Sequence, residues 1–240
     1  MAALFISDLH IPPEGGAVCG ALQRFLADVP GPGDSLYVLG DLFEYWAGDD
    51  DIGAAGNRRV VDLLADTAHR GVRQFWIAGN RDFLTGAAFA SAACVTPLTE
   101  PCVLDLAGER TVLLHGDVLC TDDHDYQAFR HLARSAEWQR SFLARPLEER
   151  LAEIRTMRER SEHEKSVKSM AIMDVNACAV EKLFTASGAT RMIHGHTHRP
   201  ARHLAEVNGH AVRRWVLPAW ESGPAYLRVD ESGEALTPID

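Results

Sequence analysis

The chain has 240 residues, of which 46% are hydrophobic and 24% charged, with a net charge of −10 at neutral pH. That length buries one good core and the balance is that of a soluble globular protein. It speaks against a basic nucleic-acid-binding module, and no apolar run approaches the ~18 residues of a bilayer span.

In chain order, apolar runs alternate with amphipathic stretches. A strand is expected up to Ser7, a helix around Ala17–Asp28, a strand at 35–39, a helix around Asn57–Arg70, a strand at 74–78 and a helix around Phe83–Ala93. This is the rhythm of an α/β protein. Two strand-like runs, Cys102–Leu106 and Thr111–His115, then face each other across Ala107–Arg110 as a hairpin. From about Asp125 to Ala186 the strand signal vanishes, and three or four helices are expected, the last ending before Gly188. Strands resume at Thr190–His194, Val212–Leu217 and Ala225–Val229. The chain therefore reads as one domain, 1–240, with a helical cap at 125–186 inserted between core strands. The run into Asp8 has no basic region or cleavage site, so no signal peptide is expected. Five scattered cysteines with no C-x-x-C pair fit buried thiols in a reducing compartment.

Five polar fragments each follow an apolar run: Asp8-Leu9-His10, Gly40-Asp41, Gly79-Asn80-Arg81-Asp82, His115-Gly116-Asp117 and Gly195-His196-Thr197-His198. They fall at the C-terminal ends of strands, where α/β proteins build their sites. Together they offer Asp8, Asp41, Asn80, His10, His115, His196 and His198, enough for two divalent ions with one shared ligand. Without thiolates the set does not suit structural zinc, and it is too imidazole-rich for magnesium alone, which leaves manganese, iron or zinc. Such a pair of ions supports hydrolysis of a phosphoric ester or anhydride. His194, also at a strand end, reads as structural, Asp117 as support for its neighbours, and Asp49-Asp50-Asp51 as a solvated loop.

Between Arg130 and Lys168 lie ten Lys/Arg and seven Asp/Glu, a local +3 against −13 for the remainder. This segment is either a solvated helix face laced with ion pairs or a surface for phosphates and anionic lipid. Its apolar residues (Phe129, Leu132, Trp138, Phe142, Leu143, Leu147, Leu151, Ile154, Met157) pack the cap, and some are candidates to line an acyl groove.

The five fragments resemble the calcineurin-like metallophosphoesterase pattern, which implies an α/β fold with a β-sandwich flanked by helices. On that plan Asp8, His10 and His198 hold one metal ion, Asn80, His115 and His196 the other, and Asp41 bridges them. Arg81 lies beside them to clamp a phosphate oxygen, and Asp82 orients neighbouring groups. The longer stretches Leu39–Glu44, Gly79–Leu84, His115–Asp123 and Ser169–Asn176 are similar to the manganese-dependent UDP-2,3-diacylglucosamine diphosphatases of lipid A biosynthesis. That likeness implies cleavage of UDP-2,3-diacylglucosamine to 2,3-diacylglucosamine 1-phosphate (lipid X) and UMP. It implies two Mn2+ ions, and substrate contacts from Asn80, Arg81, Asp123, Ser161, Lys165, Lys168 and His196. Lys165 departs from the family, where Asn is commoner, and the wording around Trp220–Gly223 departs too. A diacylated substrate implies a cytoplasmic protein held peripherally on the inner membrane. No nucleic acid and no protein partner is expected. The competing reading is a soluble nucleotide or dinucleotide polyphosphate hydrolase on the same core. A non-catalytic scaffold is disfavoured by the intact ligand set.

Overall fold

The computed structural model describes residues 1–167 and 174–239; within 160–167, Ser161 is the one side chain described. The first half alternates strand and helix: β1 (Ala3–Ile6), α1 (Gly16–Asp28), β2 (Ser35–Val38), α2 (Ala55–His69), β3 (Arg73–Trp76), α3 (Ala87–Ala92) and β4 (Thr96–Pro97). A hairpin follows, β5 (Cys102–Leu106) and β6 (Glu109–Leu113), and then four helices, α4 (His124–Ala133), α5 (Ala136–Leu143), α6 (Leu147–Val167) and α7 (Ala177–Ser187). The chain continues through β7 (Arg191–His194), β8 (Ala201–Val207), β9 (His210–Val216), β10 (Ala225–Asp230) and β11 (Gly233–Pro238).

Two mixed sheets stack face to face. One runs β11-β10-β1-β2-β3-β4 and the other β5-β6-β7-β9-β8. Every residue of β1, β2 and β7 is buried, which is why their centres are continuous apolar runs rather than alternating; the buried polar residues Ser35, Arg191 and His194 fall only at strand ends. Alternate residues still part company by face. Leu4 and Ile6 of β1 pack with Leu22 and Phe25 of α1 and Val60 and Leu64 of α2. Phe5 points the other way, stacks on Tyr37 at 4.8 Å and joins Leu113, Ile193 and Leu227 between the sheets. On the far face of the second sheet Val112, Leu114 and Met192 pack on Phe184 of α7. Gly188, at φ +63°, ends that helix with its N–H on the carbonyl of Phe184.

The structure departs from the sequence expectations at several points. The expected helix over Phe83–Ala93 shrinks to Ala87–Ala92, because Asp49 accepts the N–H groups of Gly86, Ala88 and Phe89 and so fixes the helix start late. Asp49–Asp51 are accordingly no free loop: Asp50 pairs with Arg150 and Asp51 is buried on Asn57. The first hairpin turns on Ala107-Gly108 alone, both at positive φ, and β6 starts at Glu109. β4, β8 and β11 have no counterpart in the sequence reading, since β4 has two residues and the other two are largely exposed. Asn208-Gly209 was nevertheless a legible hairpin signal between β8 and β9. Four arginines of the basic segment turn inward: Arg130 and Arg134 reach Asp117, Arg150 is 2% exposed, and Arg158 meets Glu44.

Candidate active site

The polar fragments lie beyond the C-terminal ends of β1, β2, β3, β6 and β7, so the parallel strands deliver them to one edge of the sandwich. The local backbone is unusual there. Asp8, His10, Asp41, His196 and His198 all have φ between 51° and 69°, a region non-glycine residues rarely occupy and one that costs energy. Neighbouring glycines make the approach possible. A Cβ on Gly79 would lie 2.1 Å from Asp41 Oδ1, and one on Gly195 would lie 2.0 Å from Ser7 Oγ.

The side chains converge in two overlapping groups. Asp8, His10 and His198 form one, and Asp8, Asp41 and His115 the other, with ligand atoms within 4.8 Å of one another in each. His10 Nε2 and His198 Nε2 are 3.2 Å apart. Asp41 Oδ2 stands 4.0 Å from His10 Nε2 and 3.7 Å from His115 Nε2, between the groups. Asn80 Oδ1 is 2.8 Å from His196 Nδ1 and 2.9 Å from His115 Nε2. All seven residues singled out from the sequence therefore meet at one place.

Supporting contacts aim these atoms. His115 Nδ1 donates to the Leu39 carbonyl at 2.8 Å, which turns Nε2 toward the cluster. Asp8 Oδ2 accepts from Ser7 Oγ and from the His196 N–H, and Asp41 Oδ1 accepts from the Arg81 N–H. Asp82 ties two strand ends together, accepting from Gly79 N–H at 2.7 Å and Leu42 N–H at 2.8 Å. Burial and the Asp41 charge push its carboxyl up to about 7. Asp117 accepts from Tyr126 Oη and Arg130 Nε rather than entering the cluster. His194 uses both ring nitrogens elsewhere, on the Gly195 carbonyl and Arg214. The Trp220 N–H donates to the Asp8 carbonyl, so the segment around Trp220 anchors the first loop.

The electrostatics favour cations. Burial alone would lower His115, but the carboxylates of Asp41, Asp8, Asp117 and Glu100 raise it to about 9. Burial would raise Asp8, yet its contact with His198 and the nearby His115 and His10 hold it well below the usual carboxylate range. Burial, followed by the charge of His115, pushes His196 down to about 3, as an uncharged ligand requires. Asp8 Oδ1 is buried without a hydrogen bond. A buried carboxylate oxygen lacking a donor, facing imidazole nitrogens, is satisfied by a divalent ion, so this donor set fits the pair of metal ions implied by its sequence.

Beside the cluster opens a cavity of about 550 Å³. Its lining includes the polar residues Asn80, Arg81, His196, His198 and Asp123 and the apolar side chains of Trp46, Phe83, Phe129, Trp138, Phe142, Ile154 and Met157. Ser161 lines it as well, while the side chain of Lys165 and the whole of Lys168 lie outside the described residues. Asp123 also caps α4 through the Tyr126 N–H. Sequence reasoning gave no role to Glu44, Tyr126 or Arg158, which line the same space. Glu44 stood within the Leu39–Glu44 stretch, but its contacts with His10, Arg81 and Arg158 become visible only when three distant segments meet.

Residues 1–200 match the family model described as Calcineurin-like phosphoesterase. The chain is 48% identical over 236 residues to a UDP-2,3-diacylglucosamine hydrolase of Aromatoleum aromaticum, covering 97% of this chain and 95% of that protein. A protein of the same name from Aeromonas hydrophila subsp. hydrophila is 48% identical over 222 residues, covering 92% and 91%. Another, from Xanthomonas axonopodis pv. citri, is 44% identical over 244 residues, covering 98% of each chain.

Proposed function

From the premise that the chain belongs to the calcineurin-like phosphoesterases, we propose that it hydrolyses the diphosphate of UDP-2,3-diacylglucosamine, releasing 2,3-diacylglucosamine 1-phosphate and UMP. The names of its relatives support that substrate. The observation that carries it is the cavity, which reaches candidate ligands of the cluster and is also lined by large apolar and aromatic side chains. A nucleotide alone needs no such apolar lining, whereas a sugar nucleotide with acyl chains uses both kinds of surface.

Asp8, His10 and His198 would hold one divalent ion, Asn80, His115 and His196 the other, and Asp41, standing between the groups, would serve both. Manganese is our choice among the metals that suit this oxygen and nitrogen set. Bound there, the ions supply positive charge to the phosphoryl oxygens and lower the pKa of a water aimed at the α-phosphorus. The Arg81 guanidinium, 3.4 Å from Glu44 and lining the cavity, neutralises a phosphoryl oxygen as charge builds. Asn80 and His196 face the same oxygens. Asp123, Ser161, Lys165 and Lys168 complete the sugar and phosphate contacts. The departing sugar phosphate is already a stable anion, so no strong general acid is needed.

Helices α4 to α6 act in this reading as a cap over the acyl end. No helix among the described residues is long and apolar enough to cross a membrane. Phe129, Leu132 and Leu143 are nevertheless exposed on the cap, and exposed apolar residues on a helical surface favour peripheral lipid contact at the cytoplasmic face of the inner membrane. Release from membranes by high salt without detergent tests that placement.

The deciding experiment incubates manganese-loaded protein with UDP-2,3-diacylglucosamine and its de-acylated analogue and follows UMP. Turnover of the acylated compound alone, lost with a chelator and regained with Mn2+, is the expected result. Equal turnover of both compounds, or preference for dinucleotide polyphosphates, would overturn the lipid substrate.

A further inference from the structure

Strand β8 is an edge of the second sheet, paired on one side with β9 and on the other with nothing among the described residues. Its partner groups can be assigned from register. The β8–β9 hairpin turns on Asn208-Gly209, both at positive φ, so Val207 and His210 close it as a hydrogen-bonded pair. The alternate pairs, Glu206 with Ala211, Leu204 with Arg213 and Arg202 with Trp215, then point their backbone groups away from each other. The far side of β9 agrees: Arg213 N–H donates to the Thr190 carbonyl of the β7 side at 2.9 Å, and Leu217 N–H to His194 at 2.8 Å. The free edge of β8 therefore offers the N–H and C=O groups of Arg202, Leu204 and Glu206.

These residues also share one side of the pleat. Leu204 is 72% exposed, and Arg202 and Glu206 flank it at equal spacing with opposite charges. Arg202 lies over the Trp215 ring at 5.7 Å, and Glu206 makes no hydrogen bond or ion pair among the described residues. The pattern is its own complement. Turned about a twofold axis at Leu204, a second β8 sets Leu204 against Leu204, Arg202 against Glu206 and Glu206 against Arg202. Cross-strand pairs of opposite charge stabilise an antiparallel ladder, and like charges oppose it. The remaining edges are unsuited. β4 and β11 each carry a proline, and β5 follows Pro101 and bears Asp105, which would meet its own copy or Val103.

We propose that β8 is an interface for a second copy of this chain: two molecules join β8 to β8, antiparallel about Leu204, and the two five-stranded sheets become one. A single edge strand gives a small interface, so association is weak and concentration-dependent.

The test uses the full-length protein in sedimentation velocity from micromolar to hundred-micromolar concentration. Wild type shifts from monomer mass toward twice that mass as concentration rises. Arg202→Glu sets Glu against Glu at both flanking positions, Glu206→Arg sets Arg against Arg, and each stays monomeric. Both sites are exposed, so circular dichroism and UMP release match wild type. Mixed in equal amounts, these two variants complement each other at both positions and regain the doubled mass. Wild type that remains monomeric, single variants that still dimerise, or a mixture that stays monomeric would each overturn the proposal.

Discussion

Glu44 meets the Arg158 guanidinium and thereby ties α6, a helix of the insertion, to the loop that follows β2. Its second oxygen lies 3.4 Å from Nδ1 of His10, whose other nitrogen faces the metal-ligand cluster. One carboxylate thus faces the ring of a candidate ligand, steadies Arg81 and anchors a cavity wall. Partners that orient a ligating histidine change metal affinity or activity by about 10–100-fold when lost. Glu44→Gln is expected to lower kcat/KM within that range and to raise the Mn2+ concentration needed for half-activation. Unchanged manganese dependence would separate Glu44 from His10.

Asp41 stands between the two ligand groups and is fully buried beside Asp8. Asp41→Ala is expected to reduce UMP release by roughly a thousand-fold or more and to lower the bound metal measured by elemental analysis. Turnover persisting in that variant, at full metal content, would dismiss the shared-ligand arrangement.

The close packing at Gly79 gives a sharper geometrical test. A methyl group there would lie 2.1 Å from Asp41 Oδ1 and 2.5 Å from its backbone nitrogen. Since a displacement of about 1 Å at a reacting centre costs on the order of 100-fold, Gly79→Ala is expected to lose at least that much activity. Gly53→Ala, where a Cβ meets nothing within 4 Å, is the matched control and should retain wild-type rates.

Arg150 anchors the start of α6. It is 2% exposed and held by Asp50 and by the carbonyls of Ala47 and Arg145. Asp50→Ala would remove the counter-charge of that guanidinium, and because Asp50 is itself 57% exposed and screened by solvent the expected cost is about 1 kcal/mol. Chemical denaturation should show the midpoint falling by that equivalent, and an unshifted midpoint would mean that solvent reaches Arg150.

Acid stability reports on a second network, built around Glu234 of β11. Burial would raise Glu234, but hydrogen bonds from Arg213, Arg191 and Trp215 hold it down at about 2, against an ordinary 4.5. A depressed carboxylate contributes stability above its unfolded pKa and loses it as pH falls through its folded pKa. At neutral pH wild type should exceed Glu234→Gln by at most about 3 kcal/mol, from the shift at 1.36 kcal/mol per unit. The gap should close between about pH 5 and pH 2. Parallel pH–Tm curves for the two proteins would refute this.

The sequence alone determined the candidate ligand set and the central strands. A strand buried on both faces is apolar along its centre, so β1, β2 and β7 announced themselves despite Ser35, Arg191 and His194 at their ends, and the polar residues just past them had to share one edge. Tertiary structure decided what depends on distant segments meeting. Asp49–Asp51 look like solvated carboxylates until the N-terminus of α3 and Arg150 arrive beside them. Glu44 looks like one more loop residue until His10 and Arg158 surround it. The basic run over 130–158 looks like an outward face until Asp117, Asp50 and Glu44 draw four of its arginines inward. Local pattern records how much of a residue is buried, because burial repeats with the period of the element. The identity of a charged partner leaves no such period, so only the folded chain discloses it.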